Sequence, residues 1–153
     1  MQTSAPTIRI SVPEQRLDFF RGDSLLASFP VSTSRFGLGS EEGSNKTPVG
    51  RFKIGEKIGG DHPPGTIFRG RVPLAPEVVP DLEDDLIVSR ILWLHGVEEH
   101  NANTRERYIY IHGTNHEDQI GQPTSHGCIR MRNDDLLALF DLVPLGAEVV
   151  IVA

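Results

Sequence analysis

Apolar residues in this chain recur at every second position, in one short run after another. Thr7-Ile8-Arg9-Ile10-Ser11-Val12 alternates cleanly, Arg51-Phe52-Lys53-Ile54 repeats the pattern, and Glu148-Val149-Val150-Ile151-Val152 closes the chain with it. A period of two sends successive side chains to opposite faces of a strand. Arg16 to Phe20 and Leu25 to Val31 flank Arg21-Gly22-Asp23-Ser24, which reads as a hairpin turn. The Arg-Gly-Asp tripeptide is turn chemistry in that setting. Leu86-Ile87-Val88, Ile91 to Leu94 and Tyr108 to Ile111 add further buried strand. Only one stretch has the helical period. Leu136, Leu139, Phe140 and Val143 share a helical face, Asn133 or Asp134 can cap it, and Pro144 and Gly146 stop it. The expected fold is mainly β with minor α, with one clear helix.

A chain of 153 residues is long enough to bury a core without disulfides or metals, and it reads as a single domain over residues 1–153. No apolar run of about eighteen residues marks a membrane span. Met1-Gln2-Thr3-Ser4-Ala5-Pro6 has neither a basic nor an apolar leader segment, so the expected location is cytoplasmic. The alternative is periplasmic, after removal of a leader. A net charge of −6 argues against a nucleic-acid binder, which needs a basic face to track phosphates. Residues 55–85 carry many Gly and Pro residues and end in the acidic stretch Asp81 to Asp85. A segment this long is either a lid or wall over a site, or a surface excursion.

The only cysteine, Cys128, lies in Ser125-His126-Gly127-Cys128-Ile129-Arg130, and His112 lies sixteen residues upstream at the end of a strand-like run. A thiol attacks as thiolate and needs a base near it. Both His112 and His126 qualify. His112 is the expected base, because a rigid strand orients its ring, and His126 is assigned to shaping the site or binding substrate. Gly127 permits a tight turn and close approach to backbone. The N–H groups of Gly127 and Cys128 can then face a developing oxyanion. The Gly113 carbonyl can fix the His112 tautomer, with Asn115 as competitor. Arg130 either binds a substrate carboxylate or braces the loop. Ser125 and Thr114 are expected at the substrate as well. A rival reading takes His95, His100, His112, His116, His126 and Cys128 as metal ligands. His112 and His116 follow a strand and Gly113 rather than a helix, so the helical spacing of a zinc site is missing. Neither metal nor cofactor is expected.

Ile111-His112-Gly113-Thr114 and Ser125-His126-Gly127-Cys128-Ile129-Arg130-Met131 together resemble the L,D-transpeptidase catalytic domain, the YkuD family. The resemblance extends to Thr47-Pro48-Val49-Gly50-Arg51-Phe52 and to the hairpin around Gln15-Arg16-Leu17, and is looser over residues 55–105. It implies a β-sandwich of mixed sheets with a cysteine at the mouth of a cleft. It implies attack on the L,D bond between a diamino acid, usually meso-diaminopimelate, and the terminal D-Ala of a peptidoglycan tetrapeptide or muropeptide. Carried over by position, Cys128 is the nucleophile, His112 the base, Gly113 the orienting carbonyl, and His126 and Gly127 part of the oxyanion region. Acylation of Cys128 by carbapenems is implied too. The acyl group then passes to water, in a carboxypeptidase, or to an amine, in a transpeptidase. The expected cytoplasmic location favours the carboxypeptidase, trimming recycled tetrapeptides. A non-catalytic peptidoglycan-binding module is the alternative of another class.

Overall fold

The computed structural model of the protein describes residues 5–153, so most of the stretch inspected for a leader, Met1–Ser4, lies outside the described residues. The alternating runs form β1 (Pro6–Ser11), β2 (Arg16–Arg21), β3 (Ser24–Ser32), β4 (Gly50–Ile58), β5 (Ile67–Arg69), β6 (Val72–Pro73), β7 (Ile87–Gly96), β8 (Tyr110–Gly113), β9 (Ile129–Met131) and β10 (Glu148–Val152). Among the described residues the one α-helix is α1 (Asn133–Leu142).

All ten strands join one sheet in the order β4-β10-β1-β2-β3-β9-β8-β7-β5-β6, and β4 pairs with β7 as well. That second pairing closes the sheet. Phe52 of β4 faces Val149 of β10 on one side and Gly96 of β7 on the other. β5 and β6 hang from β7 outside the ring. The mainly β class with one helix is therefore present, but as a closed, barrel-like sheet where a sandwich was expected. The sheet is mixed, with β1–β10 and β8–β9 parallel.

Period two and closure together place the core. Ile8, Ile10, Leu17, Phe19, Phe52, Ile54, Leu92, Leu94, Val149 and Ile151 turn inward and are buried. Leu136, Leu139 and Phe140 of α1, with Val143 beyond it, are buried in the same core. Each such side chain contributes about 1.5–3 kcal/mol relative to exposure. The helix ends where Lys57 Nζ donates to the carbonyls of Phe140 and Val143, both at 2.7 Å. A cation there satisfies carbonyls the helix leaves open. Its start departs from expectation. Asn133 is the first helical residue, not a cap, and its own N–H donates to the Glu117 carboxylate at 2.7 Å.

Two other boundaries shift. β8 begins at Tyr110 because Tyr108 has φ +58, outside any strand, so His112 sits within the strand rather than at its end. The Gly- and Pro-rich segment is not structureless. β4 runs on to Ile58, and β5 with β6 forms a small hairpin against β7.

Candidate active site

β7, β8 and β9 carry two kinds of residue on their two faces. Leu92, Leu94, Ile109, Ile111, Ile129 and Met131 face the core. The residues between them face outward. In register, Ile91 lies beside His112, Trp93 beside Tyr110, and His112 beside Arg130. Just before β9, Cys128 Sγ accepts the Tyr110 N–H at 3.3 Å. Alternation thus puts Tyr110, His112, Cys128 and Arg130 on one face. Phe68, Ile91, Trp93 and Tyr110 form a small second cluster there, and Cys128 packs against it.

His112 is 2% exposed. Its Nδ1 lies 2.5 Å from the Gly113 carbonyl, which only accepts, so Nδ1 carries the proton and Nε2 the lone pair. Burial holds this imidazole below the ordinary histidine range, against the Gly113 hydrogen bond and the Asp85 charge. Gly113 has no room for a side chain. A Cβ there would overlap Asn133 Oδ1 and the Val88 carbonyl. Asn133 bonds to Ser89 Oγ at 2.8 Å and to the Thr114 carbonyl at 2.8 Å, bracing the residues on both sides of that contact. Ser89 is buried with φ +74, at a bulge in the β7–β8 pairing.

The thiol of Cys128 donates to the Tyr108 carbonyl at 3.3 Å. Its hydrogen bonds are therefore to backbone rather than to an imidazole. Burial pushes the thiol up to about 11, and Asp85 adds to the rise, while the Tyr110 N–H, Arg107 and Arg130 oppose it. Burial favours the uncharged form of both the thiol and the imidazole. The turn before Cys128 is held from several directions. Ser125 Oγ accepts the Gly127 N–H at 3.2 Å and donates to the Cys128 carbonyl at 2.6 Å. Thr47 Oγ1 donates to the Gly127 carbonyl at 2.9 Å. Gly127 has φ +124, a conformation that side chains resist.

Three expected substrate contacts are turned inward. Ser125 and Thr114 are fully buried, and Thr114 Oγ1 accepts the His116 N–H at 3.0 Å. Arg130 is 1% exposed and bonds to Asp85, Ser32, Gln119 and Thr124. Of the two roles open to Arg130, its contacts are those of a brace. Gly127 N–H is likewise committed to Ser125, whereas among the described residues Cys128 N–H has no protein acceptor. His126 is exposed at the rim, 3.5 Å from Arg35 and 3.9 Å from Asp85, with Phe36 beside its ring. A cleft of about 270 Å³ opens next to Tyr108 and His126, lined also by Glu42 and Glu106. The proposed metal ligands disperse. His95 pairs with Glu56, His100 with Glu98, and His116 with the Leu82 carbonyl. Among the described residues no three of His, Cys, Asp and Glu gather around a common point.

Residues 5–151 match the family described as YkuD, the L,D-transpeptidase catalytic domain. The chain belongs to that family. It is 54% identical over 142 residues to YkuD of Bacillus licheniformis, covering 93% of this chain and 62% of that one. It is 51% identical over 144 residues to YkuD of Bacillus subtilis, covering 94% and 64%. Against YbiS of Escherichia coli the identity is 31% over 144 residues, covering 93% and 43%. The names of all three place them among the L,D-transpeptidases. The chain thus spans less than two thirds of the length of these relatives. The fold is shared with an L,D-transpeptidase from Xylanimonas cellulosilytica, at a TM-score of 0.65 and 17% identity over 98% of this chain and 61% of that one. It is shared too with one from Mycobacterium smegmatis, at 0.64 and 17% over 97% and 59%.

Asp85, Arg107, Asn133 and Tyr108 are site residues that the sequence did not single out for this YkuD-family domain. Asp85 reaches Arg130 from 45 positions away, and Arg107 donates to the Gly39 and Lys46 carbonyls across more than 60. In the sequence Tyr108 read only as the start of a buried strand, Asn133 only as a possible helix cap and Asp85 only as the end of an acidic stretch.

Proposed function

We propose that the domain is a cysteine acyltransferase acting on the L,D bond of peptidoglycan tetrapeptides. The observation that carries the reading is the pairing of β8 with β9, which sets the Gly113-anchored His112 on the same face as Cys128. The imidazole Nε2 takes the thiol proton as Sγ attacks the carbonyl of the diamino acid. Burial favours the uncharged form of both groups, which supports proton transfer in step with attack. Negative charge on the carbonyl oxygen is met by the free N–H of Cys128, a contribution of about 2.7–4 kcal/mol for a well-placed donor. The tetrahedral centre collapses, the C–N bond breaks, and His112 returns its proton to the departing D-Ala amine. A thioester on Cys128 remains. Water then yields a tripeptide, whereas an amine yields a cross-link or an exchanged D-amino acid.

Mass spectrometry of products from a disaccharide tetrapeptide, with and without an added D-amino acid, tests the reading. Loss of D-Ala that disappears in a folded Cys128→Ala variant supports it. Tripeptide in both reactions assigns water as acceptor, and exchanged or dimeric product assigns an amine. A folded protein that binds the muropeptide, releases no D-Ala and takes no carbapenem adduct would make it a binding module.

A further inference from the structure

Arg71 stands at the turn of the β5–β6 hairpin, against the outer face of β7 and β8. Its Nη1 donates to the Tyr110 hydroxyl at 3.3 Å. Its guanidinium carbon lies 5.0 Å from the ring centroid of Trp93 and 5.0 Å from that of Tyr108. The two rings are themselves 6.0 Å apart, so both must lie to one side of the cation. The other side is open, and Arg71 is exposed. The neighbouring acid, Glu56, is already taken by His95 at 3.1 Å and Arg105 at 3.4 Å. Among the described residues Arg71 has no ion-pair partner of its own.

Tyr108 and Tyr110 seat Arg71 through their side chains and the thiol through their backbone. Tyr110 N–H and Tyr108 O each lie 3.3 Å from Cys128 Sγ. The preoriented guanidinium is thus linked to the nucleophile through one residue on each of two routes, Tyr108 and Tyr110. Such a fork matches a carboxylate better than a mobile ammonium does. In a peptide cleaved one residue from its end, the terminal carboxylate is an anionic group close to the attacked carbonyl.

We infer that Arg71 binds the terminal carboxylate of the leaving residue and so restricts the site to peptides ending one residue beyond the scissile bond. The inference rests on the acyl-transfer reading above and deepens it. It makes Arg71 a substrate-binding residue, with Trp93, Tyr108 and Tyr110 as its mount.

The test compares a tetrapeptide with its C-terminal amide, using wild type, Arg71→Lys and Arg71→Gln. Wild type should prefer the free acid by about 10- to 100-fold in kcat/KM, the range for a hydrogen-bonded charge. Arg71→Gln should fall to a similar low rate on both substrates, with the loss mainly in KM. Arg71→Lys should keep part of the preference. Equal losses on acid and amide would overturn the inference, since a purely structural role has no means of telling them apart. Calorimetric binding in the Cys128→Ala background, with and without Arg71→Gln, separates the two readings. An acid-over-amide preference that depends on Arg71 but accompanies no turnover would retire the transfer chemistry and keep the carboxylate site. Turnover with no such preference would do the reverse.

Discussion

Cys128 should behave as an unusually unreactive thiol until substrate arrives. Burial holds it up to about 11, so at pH 7 about one molecule in 10⁴ carries a thiolate. A free thiol near pKa 8.5 is about 3% ionised at that pH, roughly 300-fold more. The more basic thiolate is intrinsically the better nucleophile, by about tenfold over such a gap if the Brønsted slope is near 0.4–0.5. Alkylation by iodoacetamide at pH 7 should then run about 30-fold slower than for a small free thiol. The assay is the alkylation rate between pH 6 and 11.5, followed by mass. The rate should keep rising through pH 9 and bend only near 11. The same shift has a signature in stability. An unfolded chain releases this proton near the ordinary 9.0 while the folded one retains it to about 11, so rising pH favours unfolding across that window. Relative to Cys128→Ala, the wild type should lose about 2–3 kcal/mol there. A rate that plateaus at or below pH 8 would refute this preference for the uncharged thiol and indicate a thiolate–imidazolium ion pair instead.

His112→Ala should cost about 10²–10⁴ in kcat/KM and exceed the loss from His126→Ala; the opposite order, measured on one tetrapeptide, would exchange their roles. The buried His112 titrates below the ordinary range, so its free base persists as pH falls and the acid limb of kcat/KM should lie below about pH 6.5. Gly113→Ala should destabilise by about 1–3 kcal/mol, because the new methyl overlaps Asn133 and the Val88 carbonyl, and calorimetry should show a melting point lower by about 2–12 °C. Asp85→Asn leaves the buried Arg130 charge without its counter-ion. With Asp85 24% exposed, denaturant titration should show a loss of about 1–3 kcal/mol, less than for a fully buried pair.

What the sequence disclosed divides along physical lines. The faces of strands were legible, because a period of two is local. Ile8, Ile10, Phe52, Ile54, Val149 and Ile151 all turn inward as their spacing implies. The neighbours of strands were not, because the closure at Phe52 depends on partners about 45 and 97 positions away. The His112–Gly113 contact was legible for the same reason as the strands, being a bond between consecutive residues. Arg130 shows the opposite case. Its sequence context left a substrate contact and a brace equally open, and it is partners such as Ser32, at a separation of 98, that hold its terminal nitrogens inward. Residue type and spacing reveal which groups a site owns. Long-range pairing decides which of them face outward.

The closed sheet also bears on how the domain behaves in a crowded solution. An open sheet offers bare N–H and C=O groups on which another chain can build. Here β4 is bonded on both sides, and among the described residues the free end of the strand order is β6, two residues long and ending in Pro73. Proline has no N–H to donate, and two residues are too few to template a growing strand. Among the described residues β3 keeps a longer bare edge, because β9 bonds to it only at Val31 and Ser32, so any added strand is steered to the Ser24–Pro30 stretch of the hairpin.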